Sequence, residues 1–187
     1  MLWFLVVFGL AVVVSLLRGG RISNISEIRL RGWWLLFLGF GMQIAAGFFD
    51  AERSDLATGL VLLSFVPLMA VVWLNRDEAG MWIAGIGILM NFTVIALNGG
   101  MPVLPEAVEL AGGSAAAFEL DAKHVLLTAD TRLPFLADII PLPRSVISLG
   151  DVFLAVGLGV FIEDQLKQPK RLFRHRVQAD PGSAAER

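Results

Sequence analysis

The stretch Met81-Trp82-Ile83-Ala84-Gly85-Ile86-Gly87-Ile88-Leu89-Met90-Asn91-Phe92-Thr93-Val94-Ile95-Ala96-Leu97 decides the fold class, and Asn98-Gly99-Gly100-Met101-Pro102 closes it. It carries no charged side chain. At a rise of about 1.5 Å per residue, such a run just crosses a hydrocarbon core of about 30 Å. Asn or Gly in a left-handed conformation ends a helix, and a following proline prevents its continuation. The same two glycines would also let the backbone approach a ligand closely.

Four more runs of the same character lie at Met1–Leu17, Gly32–Phe49, Leu56–Leu74 and Val146–Ile162. The chain of 187 residues is 56% hydrophobic and 17% charged, with a mean hydropathy of +0.72. A soluble domain of this size needs more charge to cover its surface. The expectation is therefore all-α: a polytopic membrane helix bundle of about five transmembrane helices. Residues 1–166 form the helical domain, with a long, partly helical outer loop at 98–145. Residues 167–187 form a basic, partly disordered cytoplasmic tail.

The charge map agrees with this division. All 15 Lys and Arg fall outside the five runs, and Asp151 is the one acid of 17 inside them. Loop one carries four basic residues, the Arg76 loop one and the tail six, against one and three in the alternate loops. The positive-inside rule then puts the N-terminus outside and the C-terminus in the cytoplasm of a bacterial cell. Trp3, Trp33, Trp34, Trp73 and Trp82 stand near run ends, where indole prefers the headgroup layer. The first run lacks a basic n-region and a small-residue cleavage site, so it is expected to be retained.

Helices in lipid associate through small and polar residues. Gly39, Gly41, Ala45, Ala46 and Gly47 mark the second run, Gly80, Ala84, Gly85 and Gly87 the fourth, and Gly150, Gly157 and Gly159 the fifth. Gln43 and Asn91 lie deep in their runs, as interhelical hydrogen bonds or as parts of a ligand or ion path. Pro67 is expected to kink the third run.

The absence of cysteine excludes disulfides, zinc-thiolate sites and a thiol nucleophile, and two histidines cannot make a three-histidine zinc site. No cofactor, metal site or nucleic-acid partner is expected. The outer loop holds the candidates. Pro105–Leu110 suits a short helix with proline in its first turn, stopped at Gly112-Gly113, and Ser114–Leu120 suits another. Leu133–Leu142 is apolar but proline-bounded, as for a helix lying in the membrane interface.

Four residues form the candidate site: Asn98, His124, Asp138 and Asp151. His124 is either a headgroup-layer residue or an acid, base or ligand near neutral pH. Asp138, in an apolar segment, needs water or a partner such as Arg132, Arg144 or Lys123. Asp151 is a functional candidate as an intramembrane carboxylate. It also completes a capping box in Ser148-Leu149-Gly150-Asp151. All four converge on the outer face.

The Asn98–Pro102 motif, His124, Asp138-Ile139-Ile140-Pro141-Leu142-Pro143 and Ser148–Asp151 resemble a family of small multi-pass proteins of Gram-positive and related bacteria. It is the domain of unknown function numbered fifty-three seventeen. The resemblance spans most of the chain and implies a bacterial membrane location, with no activity to carry over. Three functions compete. One is a binding or accessory protein recognising a lipid, a small solute or a membrane protein. The second is a membrane-embedded hydrolase or transferase using His124 with Asp138 or Asp151. The third is a small-solute transporter, disfavoured by the lack of an internal repeat.

Overall fold

The structure is a computed structural model that describes residues 2–49, 54–113 and 124–168. Among these residues the chain is mostly helical, with six α-helices: α1 Leu2–Leu17, α2 Trp34–Ala46, α3 Ser54–Leu74, α4 Met81–Asn98, α5 Pro105–Leu110 and α6 Leu149–Lys167. The segments Asp55–Leu74 and Met81–Asn98 are long and apolar enough to cross a membrane. The other three expected runs are helical but fall short of that criterion. α1 has 16 residues and α2 has 13, about 20 Å of helix for the latter. α6 has 19 residues but carries Asp151, Glu163, Asp164 and Lys167.

The five long helices form a row. α2 packs on α3, α3 on α4, α4 on α6, and α6 on α1. The sequence neighbours α1 and α2 therefore stand at opposite ends of the row, and residues 18–33 run across between them. Two buried asparagines fasten this crossing. Asn24 donates to the carbonyls of Leu166 and Gln168 at 3.0 and 2.7 Å. Asn75 donates to the Arg31 carbonyl at 2.9 Å and accepts from the Arg31 N–H at 2.8 Å. Both are 3% exposed, and both bond to backbone groups of segments distant in the chain. One end of the row thus gathers residues 18–33, 75–80 and 163–168. Trp33, Trp34, Trp73 and Trp82 sit at the helix termini of that same end, each more than half exposed.

The closest pair, α4 against α6, is made by small residues. Gly80, Ala84, Gly87 and Asn91 recur at spacings of four and three along one face of α4. They meet Gly150 and Gly157 of α6. A Cβ added at Gly157 would stand 2.7 Å from the Gly80 carbonyl oxygen, and one at Gly87 would stand 2.7 Å from the Leu154 nitrogen. Backbone is therefore in contact with backbone, as small-residue interfaces permit. Gln43 of α2 donates to the Ser64 hydroxyl of α3 at 3.1 Å, an interhelical bond. α3 runs unbroken through Pro67.

At the other end, residues 99–113 and 124–148 form a cap. It departs from the all-α expectation by holding four three-residue strands: β1 Met101–Val103, β2 His124–Leu126, β3 Ile140–Leu142 and β4 Ser145–Ile147. β1 pairs in parallel with β2, and β3 with β4 antiparallel. The interfacial helix expected over Leu133–Leu142 is replaced by a 3-10 turn, Pro134–Leu136, followed by β3. Pro141 would lack a donor and crowd the preceding turn in the interior of such a helix, and Ala137, in an extended conformation, ends the 3-10 turn. The fifth expected run also begins later than its first residues. Val146 and Ile147 lie in β4, and Ser148 starts α6 from an extended conformation. The helix expected at Pro105–Leu110 is present, and Gly112 beyond it has φ +83. That expected at Ser114–Leu120 lies outside the described residues, as does the tail beyond Gln168.

Candidate functional site

Asn98 and the glycine after it do what a helix stop requires. Gly99 takes a left-handed conformation at φ +70. The Asn98 side chain donates to the Arg132 carbonyl at 2.9 Å and accepts from its N–H at 2.8 Å, pinning the cap to the end of α4. Thr58 of α3 adds a bond to the Gly99 carbonyl at 2.9 Å. Asn98 is thus a structural clasp. The ligand-approach reading of Gly99-Gly100 has no observation in its favour.

Asp151 serves two elements at once. Its N–H donates to the Ser148 hydroxyl at 3.0 Å, and its Oδ2 accepts from the Ser148 N–H at 3.2 Å, which completes the capping box. Its Oδ1 accepts from the Asn91 amide at 2.9 Å. The Ser148 hydroxyl in turn donates to Asn91 Oδ1 at 2.8 Å. The three side chains close a ring linking α4 to the first turn of α6. The ring depends on Gly150, where an added Cβ would lie 2.8 Å from Asn91 Cγ. The sequence marks Asn91 for an interhelical hydrogen bond or a ligand path, and the structure shows the interhelical bond; which residue it meets depends on which helix faces α4.

Asp138 joins this group from the cap. Its backbone is fixed against β1, with its N–H donating to the Pro102 carbonyl at 2.8 Å and its carbonyl accepting from Leu104 at 3.0 Å. The turn before it touches both α4 and α6. The side chain is only 7% exposed, and Oδ1 is buried with no hydrogen-bond partner. Burial pushes this carboxyl well above the usual carboxylate range, and the nearby charge of Asp151 pushes it the same way. The salt bridge expected with Arg132 or Arg144 is absent among the described residues. Both arginines are exposed, while the carboxylate points inward. Lys123 lies outside the described residues.

His124 stands elsewhere. It pairs with Met101 on one flank of β1, whereas Asp138 bridges to Val103 on the other. Ladder spacing places their Cα atoms about 12 Å apart. The structure therefore bonds Asp151, Asn91 and Ser148 together, seats Asp138 after a turn that packs on the same two helices, and leaves His124 across β1 from Asp138. A surface depression of about 520 Å³, bordered by Arg76, Asp77, Glu78, Trp82 and Asp164, lies at the opposite end of the row, away from the carboxylates.

These features define a mostly helical protein with at least two helices of membrane-spanning length and a carboxylate pair beneath a small cap. The chain belongs to the family of unknown function DUF5317, whose match covers residues 27–163. It is similar to a Thermotoga maritima protein described as uncharacterized, 32% identical over 161 residues, covering 83% of this chain and 87% of the relative. No solved structure matches.

Proposed function

We propose that this is a five-span protein of the bacterial cell membrane, with its N-terminus outside and C-terminus cytoplasmic. It acts as a binding or accessory protein through the capped, extracytoplasmic end. Large apolar side chains face outward along the row, among them Phe37, Phe48, Leu63, Val66 and Leu89. Water penalises such a surface and lipid does not. The turns flanking α2 extend its apolar stretch to the Gly32–Phe49 run. The exposed tryptophans share the end that carries Arg18, Arg21, Arg29, Arg31 and Arg76, as a cytoplasmic headgroup layer would require.

The observation that carries the binding reading is the Asp138 carboxylate, enclosed beside Asp151 at the base of the cap with one oxygen unpartnered. Acid–base chemistry is less well served. Both Asp151 oxygens already accept hydrogen bonds, and His124 lies across β1 from Asp138.

The cysteine-free chain makes the topology directly testable. Single cysteines replacing Glu106 and Asp77, both exposed, are treated in intact cells with a membrane-impermeant maleimide. Labelling at position 106 without permeabilisation, and at 77 only after it, is the expected pattern. The reverse pattern refutes the orientation, and recovery of the chain outside the membrane fraction refutes the location.

A further inference from the structure

We propose that Asp138 and Asp151, with the side-chain oxygens of Asn91 and Ser148, bind one hard divalent cation of the calcium and magnesium class where the cap meets the helices. This deepens the binding reading above and rests on it. The first ground is the unpartnered Asp138 Oδ1, in a side chain more than nine-tenths buried. A buried polar atom without a partner is costly and calls for a ligand.

The second ground is charge. The turn before Asp138 packs on both α4 and α6, the helices that carry Asn91 and Asp151, and no Lys or Arg forms a salt bridge with either carboxylate among the described residues. Two carboxylates so placed are balanced by a divalent ion. The third is ligand chemistry. Every side chain gathered here offers oxygen, without histidine nitrogen or sulfur, the set that hard cations select. Each Asp151 oxygen accepts one hydrogen bond and keeps capacity for a second contact. The elements are also fixed in advance: Asp138 by β1, Asp151 by its capping box, and Asn91 by the close approach of α4 to α6.

The test uses the full chain, purified in detergent and stripped with chelator. Thermal unfolding is followed with calcium chloride, magnesium chloride, and sodium chloride at matched ionic strength. At calcium or magnesium a hundredfold above the dissociation constant, the midpoint of wild type is expected to rise by about 5–10 °C. Glu163→Gln, at the far end of α6, keeps that rise, and Asp138→Asn loses it. Equilibrium dialysis with calcium is expected to find about one ion per wild-type chain. An equal rise in Asp138→Asn, or an equal response to sodium, overturns the site. If Asp138→Asn does not fold, the wild-type dialysis decides: no bound calcium overturns the proposal. These readouts are independent of orientation, so failure here is distinguishable from failure of the labelling experiment.

Discussion

Replacing Gly157 by alanine tests whether the contact between α4 and α6 holds the carboxylate site together. The added methyl would lie 2.7 Å from the Gly80 carbonyl oxygen and 2.8 Å from Ala84 Cα, where ordinary contact begins at 3.4 Å. The Ala84 backbone nitrogen lies nearer still. The obstructing atoms are backbone, so no side chain can rotate away, and the close-packed helices must part by at least roughly 0.7 Å. Asn91 and Asp151 are bonded across the same interface at 2.9 Å. A parting of that size stretches the bond to about 3.6 Å, beyond hydrogen-bond geometry. Overpacking costs about 1–3 kcal/mol, and the lost interhelical bond about 0.6 kcal/mol more. Better helix propensity returns at most about 1 kcal/mol. The net expectation is a loss of about 1–3 kcal/mol.

Gly41→Ala is the control, because a Cβ there meets nothing within 4 Å. It is expected to be as stable as wild type or more stable by up to about 1 kcal/mol, from helix propensity alone. Unfolding in detergent, followed by tryptophan fluorescence, measures both variants. If Gly157→Ala proves as stable as Gly41→Ala, the helices are not in backbone contact and the reasoning fails.

Asn91→Ala removes the donor to Asp151 and the acceptor for Ser148; denaturation should show a loss of about 1 kcal/mol. Asn75→Ala leaves the Arg31 N–H and carbonyl without their buried partner. A loss of about 2 kcal/mol and faster proteolysis within residues 18–33 should follow. In chelated buffer, the raised Asp138 pKa makes the folded chain hold a proton that the unfolded chain releases above its ordinary value of 3.8. That contribution is complete below 3.8 and is lost as pH rises through the folded value. Thermal midpoints across this range should therefore decline more steeply for wild type than for Asp138→Asn, and parallel curves would refute the assignment.

Apolar run length, the exclusion of basic residues from the runs, the helix stop at Asn98-Gly99 and the helix start at Ser148–Asp151 were all legible in the sequence. Each depends on residues within a turn or two of one another, where local backbone physics suffices. The loop after α4 was legible only in part. Pro105–Leu110 was recognisable as a helix from its proline, whereas β1 and β2 exist because distant segments supply hydrogen-bond partners. The candidate site divides in the same way. Asp138 and Asp151 drew notice as carboxylates in apolar surroundings, and that was a property of the chain alone. Which groups would face them was a matter of helix order. The row places α4 beside α6, so that Asn91 reaches Asp151, and β1 separates His124 from Asp138. Only the packed chain could decide this, because hydropathy and charge specify where each helix ends and leave open which helix lies next to it.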